Sequence, residues 1–87
     1  MTQITIYTTA SCPYCQRAKA LFAQKGLAFK EIPVDDDFKM RAELAERTGR
    51  RTVPQIFFGE RHVGGCDDLY ELNDEGKIEQ ILAEQTQ

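Results

Sequence analysis

The feature that most constrains this chain is a pair of cysteines two residues apart, Cys12-Pro13-Tyr14-Cys15. It follows Gln3-Ile4-Thr5-Ile6-Tyr7, in which polar and apolar residues alternate as is typical of a β-strand. A helix from Pro13 to Lys25 is predicted next, because apolar residues recur at helical spacing and Gly26 can end it. The pair therefore lies between a strand and a helix, where such cysteines are redox-active rather than structural.

The position of the motif predicts different roles for its two cysteines. At a helix start, the sulfurs can approach to disulfide distance with little movement of the backbone. The unpaired N–H groups and the helix dipole stabilise the thiolate form of Cys12 over the thiol. Cys12 is therefore the candidate nucleophile. Cys15 lies about one turn further in and is the candidate resolving thiol, shielded from solvent.

Two other interpretations of the cysteines are open from the residues alone. The first is that the reduced thiols simply pack as small hydrophobic side chains. The second is a zinc site made from Cys12, Cys15, His62 and Cys66. Structural zinc usually takes a second closely spaced pair of ligands, whereas His62 falls on a short predicted hairpin and is expected to point to solvent. The sequence therefore predicts no metal site.

The rest of the chain predicts a small α/β fold with the order βαβαββα. A four-stranded mixed sheet flanked by helices is expected, with the first two strands parallel because a helix separates them. Acidic residues at 35–37 offer helix caps, and the expected hairpin turns at Gly59-Glu60. The remaining predicted elements are a strand at Ala28 to Val34, a helix ending at Gly49, strands at Gln55 to Phe58 and Arg61 to Val63, and a last helical region from about Cys66 to Ala83 interrupted at Asn73 to Gly76.

Length and charge narrow the class of protein further. Eighty-seven residues at 9.9 kDa correspond to one domain over residues 1–87, too small for a separate cofactor domain. No apolar stretch approaches the roughly 20 residues of a membrane span, and the start has no pattern typical of export, so a cytoplasmic location is expected. A net charge of −3 argues against nucleic acid as a partner. The first thirty residues nevertheless carry four cations and no acid, so an electropositive region is expected near Cys12.

Three motifs together resemble the dithiol glutaredoxins of the short bacterial type. They are Cys12-Pro13-Tyr14-Cys15, Thr52-Val53-Pro54 and Gly64-Gly65-Cys66-Asp67-Asp68, and the match spans essentially the whole chain. The resemblance implies the thioredoxin fold and glutathione as the reductant. It disfavours thioredoxin itself, whose active-site motif carries a tryptophan that this chain lacks.

The resemblance also implies how glutathione binds. Tyr14 forms a wall of the groove, and the backbone of Val53, before a cis Pro54, pairs with the cysteinyl part of glutathione. The start of the last helix holds the γ-glutamyl carboxylate, while an aspartate there meets the ammonium group. Cys66 is expected near this pocket, with no required catalytic role. The implied glutathione-binding residues are Tyr14, Thr52, Val53, Pro54, Gly65, Cys66, Asp67 and Asp68.

One position departs from the family pattern. Many glutaredoxins carry a lysine shortly before the first cysteine, facing the glycyl carboxylate of glutathione, whereas this chain has Thr9. Arg50 or Arg51 could supply the missing charge, but a solvated loop role is equally compatible with either.

The sequence therefore predicts a glutathione-dependent oxidoreductase that reduces protein–glutathione mixed disulfides and protein disulfides. Glutathione is the expected co-substrate, and no tightly bound cofactor is expected. The expected partners are glutathionylated or disulfide-containing proteins, with ribonucleotide reductase as a candidate, and the protein is expected to be a monomer. The alternative is an iron–sulfur cluster carrier in which two chains and two glutathiones share a cluster through Cys12. Pro13 argues against it, because its rigid ring is associated in the family with the purely redox form. Cys15 argues against it as well, because it can compete for the sulfur.

Overall fold

A mixed sheet of four strands in the order β2-β1-β3-β4 forms the centre of the fold. The structure is a computed structural model and describes residues 3–84. The predicted α/β architecture with a four-stranded mixed sheet is confirmed. The elements are β1 (Ile4–Thr8), α1 (Pro13–Gln24), β2 (Lys30–Pro33), α2 (Phe38–Thr48), β3 (Gln55–Phe58), β4 (Arg61–Gly64), α3 (Cys66–Asp74) and α4 (Ile78–Glu84).

The core lies between one face of the sheet and the helices α1, α3 and α4. Alternation along β1 buries Ile4 and Ile6 on this face, where they join Phe22 of α1 and Phe58 of β3. Phe22 is fully buried, and burial of a side chain of this size contributes about 1.5–3 kcal/mol. This packing fixes α1 against the sheet and therefore fixes the position of its first turn.

The sheet topology brings two loops that are distant in sequence to the same end of the sheet. β1 pairs parallel with β2 and antiparallel with β3, and Tyr7 near the end of β1 lies opposite Gln55 at the start of β3. The loop that follows β1 and the loop that precedes β3 therefore meet. The first of these loops leads to Cys12 and the second contains Pro54, so the sheet itself places the two motifs together.

The predicted start and end of α2 are confirmed. The Asp37 side chain caps the helix by accepting a hydrogen bond from the Met40 N–H over 2.9 Å. Gly49 ends it with φ of 75°, a left-handed conformation that glycine adopts without a steric penalty.

Two predicted element boundaries are wrong. β2 occupies only Lys30–Pro33 rather than Ala28 to Val34, because its pairing with β1 begins at Thr5 opposite Lys30. The predicted last helical region and its interruption are confirmed, but the interruption begins later than Asn73, and α4 starts at Ile78. α3 continues to Asp74, and the break falls at Gly76, whose φ of 69° cannot continue a right-handed helix.

The expectation that His62 points to solvent is also wrong. Its ring lies against Phe57, with centroids 5.0 Å apart, and its Nε2 is buried without a hydrogen-bond partner among residues 3–84. Phe57 and His62 are opposite each other in the β3–β4 hairpin, so their side chains share the same face of the sheet. Burial lowers the pKa of His62 below its ordinary value.

The positive region expected from the cations of the first thirty residues is partly neutralised by ion pairs. Lys19 pairs with Glu31 over 3.0 Å, and Lys25 pairs with Glu79 over 2.7 Å. Two of the four cations are thus matched by carboxylates from later in the chain. Within residues 3–84, none of the helices combines the length and apolar character that crossing a membrane requires.

Candidate active site

Cys12 occupies the N-cap position of α1, and its sulfur caps the first turn of this helix. The backbone N–H of Cys15 donates a hydrogen bond to Cys12 Sγ over 3.1 Å. Proline follows at the first helical position, where it has no N–H that needs a partner. A sulfur at this position lies at the positive end of the helix dipole, an arrangement that favours negative charge on the sulfur.

Cys15 is fully buried beneath Cys12, which is 9% exposed. Burial, together with a hydrogen bond between the two cysteine side chains, raises the pKa of Cys15 to about 12. Cys15 is therefore a protonated thiol at neutral pH and cannot compete with Cys12 for a substrate in solution. The structure thus gives the two cysteines unequal access to solvent. All three cysteines of the chain carry free thiols.

The loop before β3 faces the cysteines. The Val53–Pro54 peptide bond is cis, as the resemblance implied. The Cys12 thiol donates to the carbonyl oxygen of Val53 over 3.6 Å. A backbone acceptor therefore lies directly beside the sulfur, where the backbone of a bound cysteinyl residue would need one.

The start of α3 forms the far side of the site. Gly64 has φ of 126°, and a side chain there would collide with the carboxylate of Asp68. Gly65 precedes the helix, and a Cβ at Gly65 would lie 3.5 Å from the carbonyl oxygen of Pro54. The two glycines thus allow the start of α3 to approach the Pro54 loop closely.

An ion pair connects this helix start to the loop before β3. Asp68 Oδ2 accepts hydrogen bonds from the Gly65 N–H over 2.9 Å and from Arg50 Nη1 over 2.8 Å. The Arg50 guanidinium, followed by the Gly65 N–H, holds the pKa of Asp68 below its ordinary value. Asp68 is therefore ionised at neutral pH, but one of its oxygens is already occupied by groups of this chain.

A groove of about 180 Å³ lies between α1, the Pro54 loop and the start of α3. It brings together all eight residues that the resemblance implied for glutathione, and it adds Arg50. The lining residues are Tyr14, Arg50, Thr52, Val53, Pro54, Gly65, Cys66, Asp67 and Asp68. The groove is therefore bordered by two acidic side chains, one cation, and the N–H groups at the start of α3.

Tyr14 projects from the first turn of α1 at the rim of the groove and is 52% exposed. The guanidinium of Arg17 lies 6.0 Å from the Tyr14 ring and 5.3 Å from the Tyr70 ring, within the range of cation–π contacts. The Tyr70 hydroxyl donates to the Arg17 carbonyl oxygen over 3.2 Å. Arg17 and Tyr70 were not singled out from the sequence, although three residues of spacing between Tyr14 and Arg17 on a helix predict contact.

Cys66 is the first residue of α3 and is 4% exposed. Burial raises the pKa of its thiol above the ordinary value. It therefore lies beside the groove as a protonated, shielded thiol.

Four polar residues bear on the missing lysine. Arg50 lines the groove, whereas Thr9 and Arg51 are not among its lining residues. Gln55, which sequence reasoning did not single out, is 2% exposed and donates from Nε2 to the Arg50 carbonyl oxygen over 2.7 Å. A glutamine at the start of an otherwise apolar strand was the available signal, because a buried amide needs a specific partner.

A larger apolar cavity of about 720 Å³ lies at the other end of the molecule, between the end of α1, the segment before β2, and α4. Residues 26–30 form one side of it, and none of its lining residues is a cysteine. Cys66 lines the smaller groove, and Cys12 contacts the Val53 carbonyl oxygen at its border.

The fold and the site together define a dithiol oxidoreductase of the thioredoxin fold. Residues 4–63 match the family model described as Glutaredoxin. Glutaredoxin 3 of Escherichia coli strain K12 is 50% identical over 82 residues, covering 94% of this chain and 99% of that protein. The chain belongs to the glutaredoxin family and is a glutathione-dependent thiol-disulfide oxidoreductase.

Solved structures agree with this assignment. The solution structure of glutaredoxin from Brucella melitensis is 57% identical with a TM-score of 0.85, covering 94% of this chain and 89% of that chain. The crystal structure of a buckwheat glutaredoxin–glutathione complex is 36% identical with a TM-score of 0.88, covering 95% of this chain and 78% of that one. These comparisons support the oxidoreductase rather than the cluster carrier.

Proposed function

We propose that Cys12 is the nucleophile of this oxidoreductase, that Cys15 is its resolving thiol, and that the 180 Å³ groove binds glutathione. The observation that carries the proposal is the unequal environment of the two sulfurs. Cys12 caps a helix and accepts an N–H, whereas Cys15 is fully buried with its pKa raised to about 12.

The reaction proceeds by thiol–disulfide exchange. The Cys12 thiolate attacks the glutathione sulfur of a mixed disulfide, a Cys12–glutathione bond forms, and the protein thiolate leaves and takes up a proton. A second glutathione thiolate then attacks the glutathione sulfur of the adduct. This step releases glutathione disulfide and restores the Cys12 thiolate.

Protein disulfides follow a second route that needs Cys15. Attack by Cys12 leaves a mixed disulfide between enzyme and substrate. Cys15 loses its proton and attacks Cys12 Sγ, so the internal disulfide forms and the substrate leaves as a thiol. Two glutathione molecules then reduce the internal disulfide, and glutathione disulfide is released.

The groove supplies recognition for glutathione. The Val53 backbone pairs with the cysteinyl residue, Tyr14 covers one side, and the N–H groups at the start of α3 receive the γ-glutamyl carboxylate. Asp67 is exposed at this helix start and, with Asp68, is placed to meet the γ-glutamyl ammonium group. Arg50 lies at the same groove and can balance the second carboxylate of the tripeptide.

Further expectations concern the setting of the reaction. We propose that the protein acts as a monomer in the cytoplasm on glutathionylated and disulfide-containing proteins. Ribonucleotide reductase is one candidate among these, because its turnover leaves a protein disulfide.

The test assays three proteins, the wild type, Cys12→Ser and Cys15→Ser, on a glutathionylated peptide and on a protein disulfide. Glutathione, glutathione reductase and NADPH are supplied, and NADPH oxidation is followed. Cys12→Ser should lose both activities, because Cys15 and Cys66 are more deeply buried than Cys12 and their thiols are protonated at neutral pH. Cys15→Ser should keep activity on the peptide and lose most activity on the protein disulfide. Equal loss of both activities in Cys15→Ser, or either activity in Cys12→Ser, would contradict the assigned roles.

A further inference from the structure

A cluster of three polar side chains connects α1 with the β1–β2 side of the sheet. The Thr8 hydroxyl donates to Glu31 Oε2 over 2.7 Å, and Lys19 Nζ donates to the same oxygen over 3.0 Å. Thr8 is 1% exposed, and the Lys19 side chain is 21% exposed. The hydrogen bonds from Thr8 and Lys19 lower the pKa of Glu31, so the carboxylate stays ionised and holds the lysine.

The cluster lies beside the buried thiol of the active site. Cys15 and Lys19 are four residues apart on α1, so they lie on the same face of the helix with about 5–6 Å between their Cβ atoms. Thr8 is buried with Ile4 and Ile6 on the sheet face that α1 covers. Residues from two strands therefore hold the ammonium group of Lys19 on the face of α1 that carries Cys15, and the charge of Lys19 lowers the pKa of Cys15.

The chemistry of resolution poses a problem at this position. Cys15 must become negatively charged as it attacks, yet burial and the Cys12 side chain raise its pKa to about 12. The groups of the described residues that oppose this rise are the backbone N–H of Thr9 and the charge of Lys19. At this stage Cys12 is bonded to the substrate sulfur and no longer titrates. Of the titratable side chains that act on Cys15, Lys19 is the one left, and Glu31 of β2 faces it.

We propose that Lys19 is a positioning residue for the resolving step, whose ammonium group, anchored by Glu31 and Thr8, stabilises the charge that develops on Cys15 as it attacks Cys12 Sγ. In that step the bond between Cys12 and the substrate sulfur breaks and the Cys12–Cys15 bond forms. The proton of Cys15 is taken up by the departing substrate thiolate. The proposal rests on the role of Cys15 proposed above and adds a residue to it.

A second lysine on the same helix provides the matched control. Lys25 ends α1 and pairs with Glu79 over 2.7 Å, with a side chain 23% exposed against 21% for Lys19. It lies ten residues beyond Cys15 in sequence and forms an ion pair of the same kind. An effect of ion-pair loss on helix stability should therefore appear in both lysine variants.

The experiment uses a disulfide reagent that reports both steps in one trace. Reduced protein carrying Cys66→Ser, which removes the third thiol, is mixed with excess 5,5′-dithiobis(2-nitrobenzoate), and release of the yellow thionitrobenzoate anion is followed by stopped flow. The first phase depends on reagent concentration and reports attack by Cys12. The second phase is independent of reagent concentration and reports resolution by Cys15.

Lys19→Gln should slow the second phase about three- to tenfold, because it removes a positive charge that acts on a buried group about to become negative. The first phase should change less than twofold. The slowing should appear at pH 7.5 in the second phase alone, where Cys15 attacks. Lys19→Arg should restore the rate, and Lys25→Gln should leave it unchanged.

Three results would overturn the proposal: an unchanged second phase in Lys19→Gln, equal slowing in Lys25→Gln, or equal slowing of both phases. A different result would overturn the role of Cys15 itself. If Cys15→Ser still shows the phase that is independent of reagent concentration, another group performs resolution. The two failures are therefore distinguishable in the same measurement.

Discussion

The backbone N–H of Cys15 lies 3.1 Å from Cys12 Sγ, so the residue that we propose as the resolving thiol also binds the sulfur of the proposed nucleophile. The contact exists because Cys12 is an N-cap, and an N-cap side chain accepts from an N–H of the first helical turn. It uses the backbone of Cys15 and leaves the thiol of Cys15 unused. A serine at position 15 would therefore keep the contact, which makes Cys15→Ser a specific test of the thiol.

The raised pKa of Cys15 predicts that the reduced protein loses stability in alkali. A free cysteine has a pKa of about 8.5, so the unfolded chain releases this proton earlier than the folded one. The folded state then binds more protons between pH 8.5 and about 12, and the free energy of unfolding falls as pH rises through this window. Urea unfolding with a reductant present, at pH 7.5 and 9.5, should show this fall in the wild type and a smaller fall in Cys15→Ala. An equal fall in the free energy of unfolding in the two proteins would contradict the prediction.

Cys66 should be dispensable for turnover. Cys66 is 4% exposed and its thiol is protonated at neutral pH, so it is a poor nucleophile that substrates do not readily reach. Cys66→Ser should keep the deglutathionylation rate within a few-fold of the wild type. The native protein should also react with iodoacetamide at Cys12 well before Cys66, as peptide mass spectrometry can show. A loss of activity above about tenfold, or roughly 1.4 kcal/mol of barrier, would mean that Cys66 has a chemical role.

Gly64→Ala should destabilise the protein and weaken its use of glutathione together. Its φ of 126° is unfavourable for alanine, and the new Cβ would displace the Asp68 carboxylate from the Gly65 N–H and Arg50. Strain and loss of the cap together should cost about 1–3 kcal/mol of unfolding free energy.

Gly26→Ala is the control for this change. Gly26 also has positive φ, at 69°, but nothing lies within 4 Å of an added Cβ, and it lines the apolar cavity at the other end of the molecule. Urea unfolding should show a cost in both variants, whereas the KM for glutathione should rise only in Gly64→Ala. A normal KM in Gly64→Ala would mean that Asp68 does not contribute to binding.

The two adjacent arginines should differ in their effect on glutathione. Arg50 lines the groove and pairs with Asp68, whereas Arg51 is exposed and does not line it. Arg50→Ala should raise the KM for glutathione by a few-fold, a modest effect because the Arg50 side chain is 48% exposed. Arg51→Ala is the matched control and should leave KM unchanged. If a steady-state assay showed a higher KM for glutathione in Arg51→Ala and an unchanged KM in Arg50→Ala, the charge that replaces the missing lysine would be assigned to Arg51.

The sequence was sufficient for the parts of this protein that depend on local pattern. The strand before Cys12, the helix after it and the caps of α2 follow from spacing and from side chains a few residues apart. The hydrogen-bond partners of Asp68 and Glu31 could not be predicted from the sequence, because each partner is distant in the chain. Arg50 is 18 residues from Asp68, and Thr8 is 23 residues from Glu31. His62 was misjudged because its ring packs against Phe57 on the neighbouring strand, a contact that depends on the register of the hairpin.

The burial of Cys15 and Cys66 also determines how an oxidant in solution can damage the protein. With exposures of 0% and 4% against 9% for Cys12, peroxide meets the enzyme chiefly at one sulfur atom. A sulfenic acid formed there has Cys15 beneath it, and condensation of the two releases water and gives a disulfide instead of a sulfinic acid. The lesion is thereby converted into the Cys12–Cys15 disulfide of the normal cycle, which glutathione already removes.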